Sequence, residues 1–250
     1  MTDSERTKYD PALFASGPKR DSRFKVVEQW KECEKFPRDH PAYEVEFYHR
    51  QMNEEVNGME CAARALTDFP NAEWHVRMSI ARQCYDEARH VEMFRRLLEN
   101  RGGYVGQSPV LNFQYRIITK ADTLLGRLVV QNRTFEAGGI DAIASSMQEM
   151  QAKGNTELVA LYDAQLADEI AHVRFANEYI ARAISEKPAT VMGLGRVMQT
   201  SYKAMGQVVG DTPDSTIDYP KATALRLEAG FSPDEVRLSN WPTTTHPGAR

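Results

Sequence analysis

The sequence predicts an all-α fold, a four-helix bundle with a metal site in its core and extra helices towards the C-terminal side. Three observations predict it. Long segments repeat apolar residues at helical spacing and are interrupted only at Pro70, at Gly102-Gly103 and at Gly154. No segment shows the two-residue alternation of a half-buried strand. Finally, two of the helical segments carry the same pattern of a glutamate and a histidine three positions apart, inside matching flanks.

In chain order, residues 1–38 are polar and carry Pro11, Pro18 and Pro37, which predicts an irregular N-terminal arm with one short helix near 24–35. Residues 39–188 form the bundle. Its first helix starts near Pro41, a residue suited to a first helical position, and carries a stripe of Tyr48, Met52, Met59, Ala62 and Leu66 up to Pro70. Asn71 is an N-cap candidate for the second helix, which runs to about Asn100 and stops at Gly102-Gly103. After a loop with Gly106, Ser108 and Pro109, the third helix is expected over 118–152, with Gly138-Gly139 inside it. Gly154 ends it, Asn155 caps the fourth, and Pro188 stops that one. Residues 189–250 read as a helical extension packed on the bundle and covering one end of it. It would hold a helix at about 190–207, a loop around Gly210, Pro213 and Asp218-Tyr219-Pro220, a short amphipathic segment at 221–239 and a frayed end.

Composition narrows the class. The 250 residues are 42% hydrophobic and 26% charged, enough for one large core. A net charge of −4 and a pI of about 5.9 provide no global basic field to draw nucleic acid or an anionic membrane. No run approaches the roughly 18 apolar residues of a membrane span, and Met1-Thr2-Asp3-Ser4-Glu5-Arg6 lacks the plan of a signal peptide. Cys33, Cys61 and Cys84 read as free thiols, so the expected compartment is the cytoplasm.

Helix two contains Gln83-Cys84-Tyr85-Asp86-Glu87-Ala88-Arg89-His90-Val91, and helix four contains Gln165-Leu166-Ala167-Asp168-Glu169-Ile170-Ala171-His172-Val173. Both read Gln-x-x-Asp-Glu-x-x-His-Val. A glutamate and a histidine three apart project from one helix face and can bind one metal centre. The short motif alone is weak: with 6 histidines, about 0.4 chance occurrences are expected. Glu46-Phe47-Tyr48-His49 is a third example, rejected because no comparable carboxylate precedes it.

The other two each have such a carboxylate on the preceding helix. Glu136 lies 33 residues before Glu169 (169 − 136), and Glu55 lies 32 before Glu87 (87 − 55). From Glu55 the chain runs 15 residues to Pro70 and then 17 to Glu87, so at about 1.5 Å per residue the two levels match. Glu60 falls too near the hairpin, and Glu54 faces about 100° away from the apolar stripe.

The predicted set is therefore Glu55, Glu87, His90, Glu136, Glu169 and His172. Four carboxylates offset two divalent ions and can bridge them, and two neutral imidazoles leave open positions. Asp86 and Asp168 are placed to accept the free imidazole N–H of the opposite half's histidine. For Gln83, Gln165, Tyr48, Tyr162 and Cys84, ordinary core packing is the simpler reading. Gly138-Gly139 fits either close helix packing or an opening for substrate. The alternative to metal is neutralisation of the buried carboxylates by Arg89, Arg133 and Arg174.

Asn53-Glu54-Glu55-Val56, Met59-Glu60-Cys61-Ala62 and Asp86-Glu87-Ala88-Arg89-His90 resemble a bacterial ferritin-like family of unknown function. The resemblance continues through Phe135-Glu136-Ala137-Gly138-Gly139-Ile140-Asp141, Asp168-Glu169-Ile170-Ala171-His172-Val173 and Leu227-Glu228-Ala229-Gly230-Phe231-Ser232, so it covers roughly residues 40–240. The superfamily includes the non-haem iron tRNA hydroxylase, oxygenases of natural-product pathways and ferritins. The resemblance implies a di-metal centre with the six ligands above. Where members commonly carry a histidine pair before the first ligand, this chain has Asn53-Glu54, which leaves the substrate open.

The expected function is an O2-dependent di-iron oxygenase or oxidase, with manganese or a mixed manganese/iron pair as the variant. It would act on a small organic substrate with an electron donor, without nucleic acid or membrane, and would be compatible with a homodimer. Two rivals stand beside it. A storage ferritin does not need the C-terminal sixty residues, and a tRNA hydroxylase needs a basic face, for which Arg95, Arg96 and Arg101 are the candidates.

Overall fold

The computed structural model describes residues 20–209 and 219–238, and these are predominantly α-helical. The first hairpin is α1 (Tyr43–Asp68) and α2 (Trp74–Asn100). The second joins a long composite helix to α6 (Thr156–Glu186). The composite helix is α4 (Leu124–Val130), a π-helical stretch over Gln131–Glu136, and α5 (Ala137–Ala152). The two hairpins pack on each other mainly through α2 and α6. Between α2 and the composite helix lie β2 (Val110–Leu111) and α3 (Phe113–Thr119).

Periodicity explains the two hairpins. Tyr48 and Met52 of α1, Phe94 and Leu98 of α2, Ile140 of α5 and Tyr162, Leu166 and Ile170 of α6 are buried in one apolar cluster. Ala62 and Ala65, Val76 and Ile80, Leu128 and Ala176 and Ile180 form a second. On α1, α2 and the composite helix, acidic residues lie in sequence between these two clusters, with His90 among them on α2. On α6, Glu169 and His172 sit between Leu166 and Val173, at the inner edge of the first cluster. A polar layer thus separates two apolar ones.

Several helix ends depart from expectation by a few residues. The first helix starts at Tyr43, two residues after Pro41, and the second at Trp74, with Glu73 rather than Asn71 as N-cap residue. Asn155 does cap α6, its side chain accepting from Leu158 N at 3.1 Å. The third helix does not run unbroken from 118. The chain turns after α3, and α4 begins behind Thr123, whose hydroxyl accepts from Gly126 N at 3.1 Å. Arg127 fastens the break by donating to the carbonyls of Ala121 (2.8 Å) and Thr119 (3.0 Å).

The short helix expected near 24–35 is instead β1 (Val26–Val27) and a 3-10 turn at Trp30–Glu32. β1 pairs in parallel with β2, Val26 opposite Val110 and Val27 opposite Leu111. Two residues are too few to display strand alternation, so this pair left no pattern in the sequence. Arg20 ties the end of the arm to α1, bonding Asn53, Asn57 (2.7 Å) and Glu60 (3.0 Å).

The helix expected at 190–207 is α7 (Thr190–Val209), which packs on α3 and α4. The amphipathic segment is two short helices, α8 (Thr223–Glu228) and α9 (Pro233–Leu238). They are separated at Gly230, whose φ of 85° lies in the left-handed region that favours glycine. They lie alongside α5 and α6, not over an end. Buried Asp141 accepts from Ala222 N (2.9 Å) and Arg226 Nη2 (2.6 Å), and Asn177 donates to Ala229 O (2.8 Å). The frayed end predicted over 240–250 lies outside the described residues, as do residues 1–19 and the Gly210, Pro213 and Asp218 part of the expected loop.

Candidate metal centre

Glu55 on α1, Glu87 and His90 on α2, Glu136 at the end of the π-helical stretch, and Glu169 and His172 on α6 converge in the polar layer. They form two overlapping groups, Glu55–Glu87–His90–Glu169 and Glu87–Glu136–Glu169–His172. In each, one ligand atom per residue lies within 4.8 Å of all the others. Glu87 and Glu169 belong to both groups. The glutamates of the two repeated motifs thus stand where bridging carboxylates would, with Glu55 and Glu136 on the outside.

The imidazoles show how the repeat works. His90 Nδ1 lies 3.2 Å from Glu87, 3.4 Å from Glu55 and 3.6 Å from Glu169. His172 Nδ1 lies 3.2 Å from Glu136, 3.5 Å from Glu169 and 3.6 Å from Glu87. Two atoms bound at roughly 2.1 Å to one ion stand at most about 4.2 Å apart, so these separations suit a shared metal. The other ring nitrogen of each histidine faces an aspartate of the opposite half. His90 Nε2 is 3.3 Å from Asp168 Oδ2, and His172 Nε2 is 3.3 Å from Asp86 Oδ2. An aspartate in that position fixes the ring and leaves Nδ1 for a metal. Arg89 donates to both aspartates at 2.7 Å, joining the halves.

Electrostatics agree with the geometry. Burial, reinforced by Glu136 and Glu169, pushes the Glu87 carboxyl well above its ordinary range. Burial and Glu136 likewise raise Glu169 to about 8. Glu136 is also buried, but the His172 imidazole draws it below its usual value. Burial alone would depress His90, yet the carboxylates of Glu55 and Glu87 prevail and hold it at about 11. Without an ion, the site must therefore retain protons to offset its negative charge. The arginines that could have replaced a metal are engaged elsewhere: Arg89 with the two aspartates, Arg133 with Asn177 and Glu235, and Arg174 with Glu228. These buried Glu and His groups could hold a metal ion.

A comparison with known families gives the chain its place. Residues 2–237 match the family described as "Protein of unknown function (DUF455)". The chain belongs to the DUF455 family. No curated protein and no solved structure matches it.

In this DUF455 chain a cavity of about 370 Å³ opens on to the four glutamates. Its walls include Phe47, Phe94, Phe113, Phe135, Ile143 and Tyr162. Gly138 and Gly139 line it too, and a Cβ placed on either would meet nothing within 4 Å. Close helix packing therefore does not account for this pair, which is open cavity wall. Gly58 is the opposite case. A Cβ there would meet Glu87 Cδ at 3.1 Å and Oε1 at 3.2 Å, so the missing side chain is the room that the carboxylate occupies.

The glutamines do more than fill the core. Gln83 donates to Glu136 at 2.6 Å and Gln165 to Glu55 at 3.0 Å, one from each repeat to the outer glutamate of the other half. Asn132 and Gln131 were not foreseen. Asn132 donates to Gln83 Oε1 (2.8 Å), and Gln131 donates weakly to Glu136 (3.3 Å). Both lie in the π-helical stretch, a feature that sequence periodicity does not reveal. Tyr48 is plain core, packed beside Phe94, whereas Tyr162 is both core and cavity wall. Cys84 is half-buried, Cys61 is buried, and all three thiols are free.

The remaining acidic candidates of helix one sort themselves. Glu60 pairs with Arg20 outside the cluster. Glu46 pairs with Arg50 at 2.8 Å, and His49 accepts from Gly106 N at 2.9 Å, so the third motif is used structurally. Glu54 belongs to neither metal group but lines the cavity. Burial lifts its carboxyl to about 7 against the pull of Arg50 and Arg20.

Proposed function

We propose that this DUF455 chain is a ferritin-like di-metal protein, a non-haem di-iron oxygenase or oxidase acting on a small organic molecule. The observation that carries the reading is the pair of overlapping Glu/His groups, whose glutamates line a cavity with aromatic side chains in its walls. Glu55, Glu87 and His90, with Glu169, would hold one ion; Glu136, Glu169 and His172, with Glu87, the other. Two irons would supply reductive activation of O2 for hydroxylating a C–H bond or oxidising an amine.

The chain's own residues would do the rest. Asp86 and Asp168 orient the imidazoles. Gln83 and Gln165 hold the outer carboxylates. The aromatic walls exclude water and position an apolar skeleton.

A cavity of this kind favours a substrate-converting protein over a storage ferritin. The tRNA reading loses support because its basic residues have acidic partners: Arg95 with Glu92 and Glu99, Arg96 with Glu92, Arg101 with Glu44.

Anaerobic iron(II) titration followed by O2 tests the proposal. It requires two irons per chain and a transient oxidised species on mixing. Many irons per chain would indicate storage instead, and absence of iron binding would refute both. A tRNA shift that weakens steeply with salt would revive the RNA reading. Glu169→Ala should lower stoichiometry more than Glu60→Ala, because Glu169 touches both groups and Glu60 neither.

A further inference from the structure

Polar groups without partners show what the cavity lacks. Among its lining residues, Glu54 and Gln165 each present an acceptor oxygen that is enclosed and receives no hydrogen bond, Glu54 Oε2 and Gln165 Oε1. The Gln165 amide is oriented by its donation to Glu55, which leaves its carbonyl oxygen as the unpaired end. Enclosed acceptors without donors are costly, and a charged one costs most.

The nearby cations do not resolve this. Arg50 also lines the cavity, but its Nε is bonded to Glu46 at 2.8 Å, and its guanidinium lies 5.5 Å from the ring centres of Trp30 and Phe47. Arg20 bonds Glu60 and the two asparagines. Both guanidiniums attract the Glu54 carboxyl, but Arg50 is bonded to Glu46 and Arg20 to Glu60, so Glu54 Oε2 is left without a donor. One unpaired donor also belongs to the lining, Trp30 Nε1, but it is neutral and single.

We infer that the cavity binds a small apolar amine, with Glu54 accepting from its ammonium group and Gln165 offering a second acceptor. This rests on the reading of the cavity as a substrate site beside the metals and deepens it. An alkylammonium supplies up to three donors and a full positive charge, and both enclosed oxygens require donors. The skeleton would lie against Phe47, Phe113, Phe135 and Tyr162, whose faces also favour a cation. An anionic substrate would place like charge beside Glu54, and a pure hydrocarbon would leave both oxygens unpaired. Glu54 would select substrate and touch no metal.

The test is calorimetric binding of phenethylamine, phenethyl alcohol and hydrocinnamate to the full chain, as purified and after loading with zinc. The expected result is that phenethylamine binds about ten-fold or more tighter than the alcohol, and the acid weakest. Glu54→Gln should erase that preference, by weakening the amine far more than the alcohol, while zinc stoichiometry stays at its wild-type value. The surface variant Glu99→Gln should keep the preference.

Equal binding of amine and alcohol, preference for the acid, no binding of the amine, or an amine preference that survives in Glu54→Gln each overturns the inference. Metal content of the same samples separates the two readings. Two zinc ions with no amine preference removes only the role of Glu54. Amine preference without metal removes the di-metal centre and leaves a binding pocket.

Discussion

The pair Gly138-Gly139 offers a sharp test because two roles predict opposite signs. Were the glycines needed for close packing, adding methyl groups would destabilise the fold. Instead a Cβ at either position meets nothing within 4 Å, and neither residue has a positive φ. Both sit in a continuous helical run between the π-helical stretch and the rest of α5. Glycine there costs roughly 0.5–1 kcal/mol relative to alanine, through the freedom it regains on unfolding.

Gly138→Ala/Gly139→Ala should therefore raise stability by about 1–2 kcal/mol. For a chain of this size that is a melting-point rise of roughly 2–8 °C. The same methyl groups narrow the cavity, so affinity for bulky ligands should fall while metal stoichiometry stays at its wild-type value. Denaturant unfolding of the metal-free chain and calorimetric binding of a probe series measure the two effects. A fall in stability would refute the cavity-wall reading, and unchanged ligand affinity would show that the wall is not in contact with ligand.

Other expectations follow from the same geometry. Gly58→Ala must displace the Glu87 carboxylate, so metal affinity should drop in competition titrations even though the helix itself gains propensity. Asp86→Asn or Asp168→Asn should weaken metal binding by about 10–100-fold, with the double variant less than additive because Arg89 couples both.

For the metal-free chain, Glu169 is raised from 4.5 to about 8 and His90 from 6.5 to about 11, so the folded state holds protons that the unfolded chain releases. Stability contributed by these groups is greatest at low pH and falls as pH rises through that window. Melting points recorded from pH 6 to 9 should decline without metal. Metal affinity should climb over the same range as ions replace protons. A rising metal-free melting point would contradict the clustering of these carboxylates.

Much of the helical layout was legible because it is periodic and punctuated. Pro70, Gly102-Gly103 and Gly154 are physical breaks, and Asn155 is a cap with a visible acceptor. Counting residues from the Pro70 turn favoured Glu55 over Glu60, and the structure places Glu55 in the cluster and Glu60 against Arg20.

The failures share a cause. The break before Thr123 depends on a tertiary clamp by Arg127. The β1–β2 pair joins residues far apart in sequence. The π-helical stretch is a register change that leaves composition untouched. Setting Glu54 aside as a ligand was right, since it belongs to neither metal group. Its place in the cavity wall was not legible, because a helical wheel does not show that the side next to the apolar stripe faces a cavity.

The crossing of Asp86 to His172 and Asp168 to His90 has a consequence for how such a site could fail. Each hairpin borrows the brace for its own imidazole from its neighbour, so neither can mature alone. Prying the hairpins apart would strip both rings of support at the same moment, so under the proposed di-metal reading whatever metal the site holds should be released as the hairpins part.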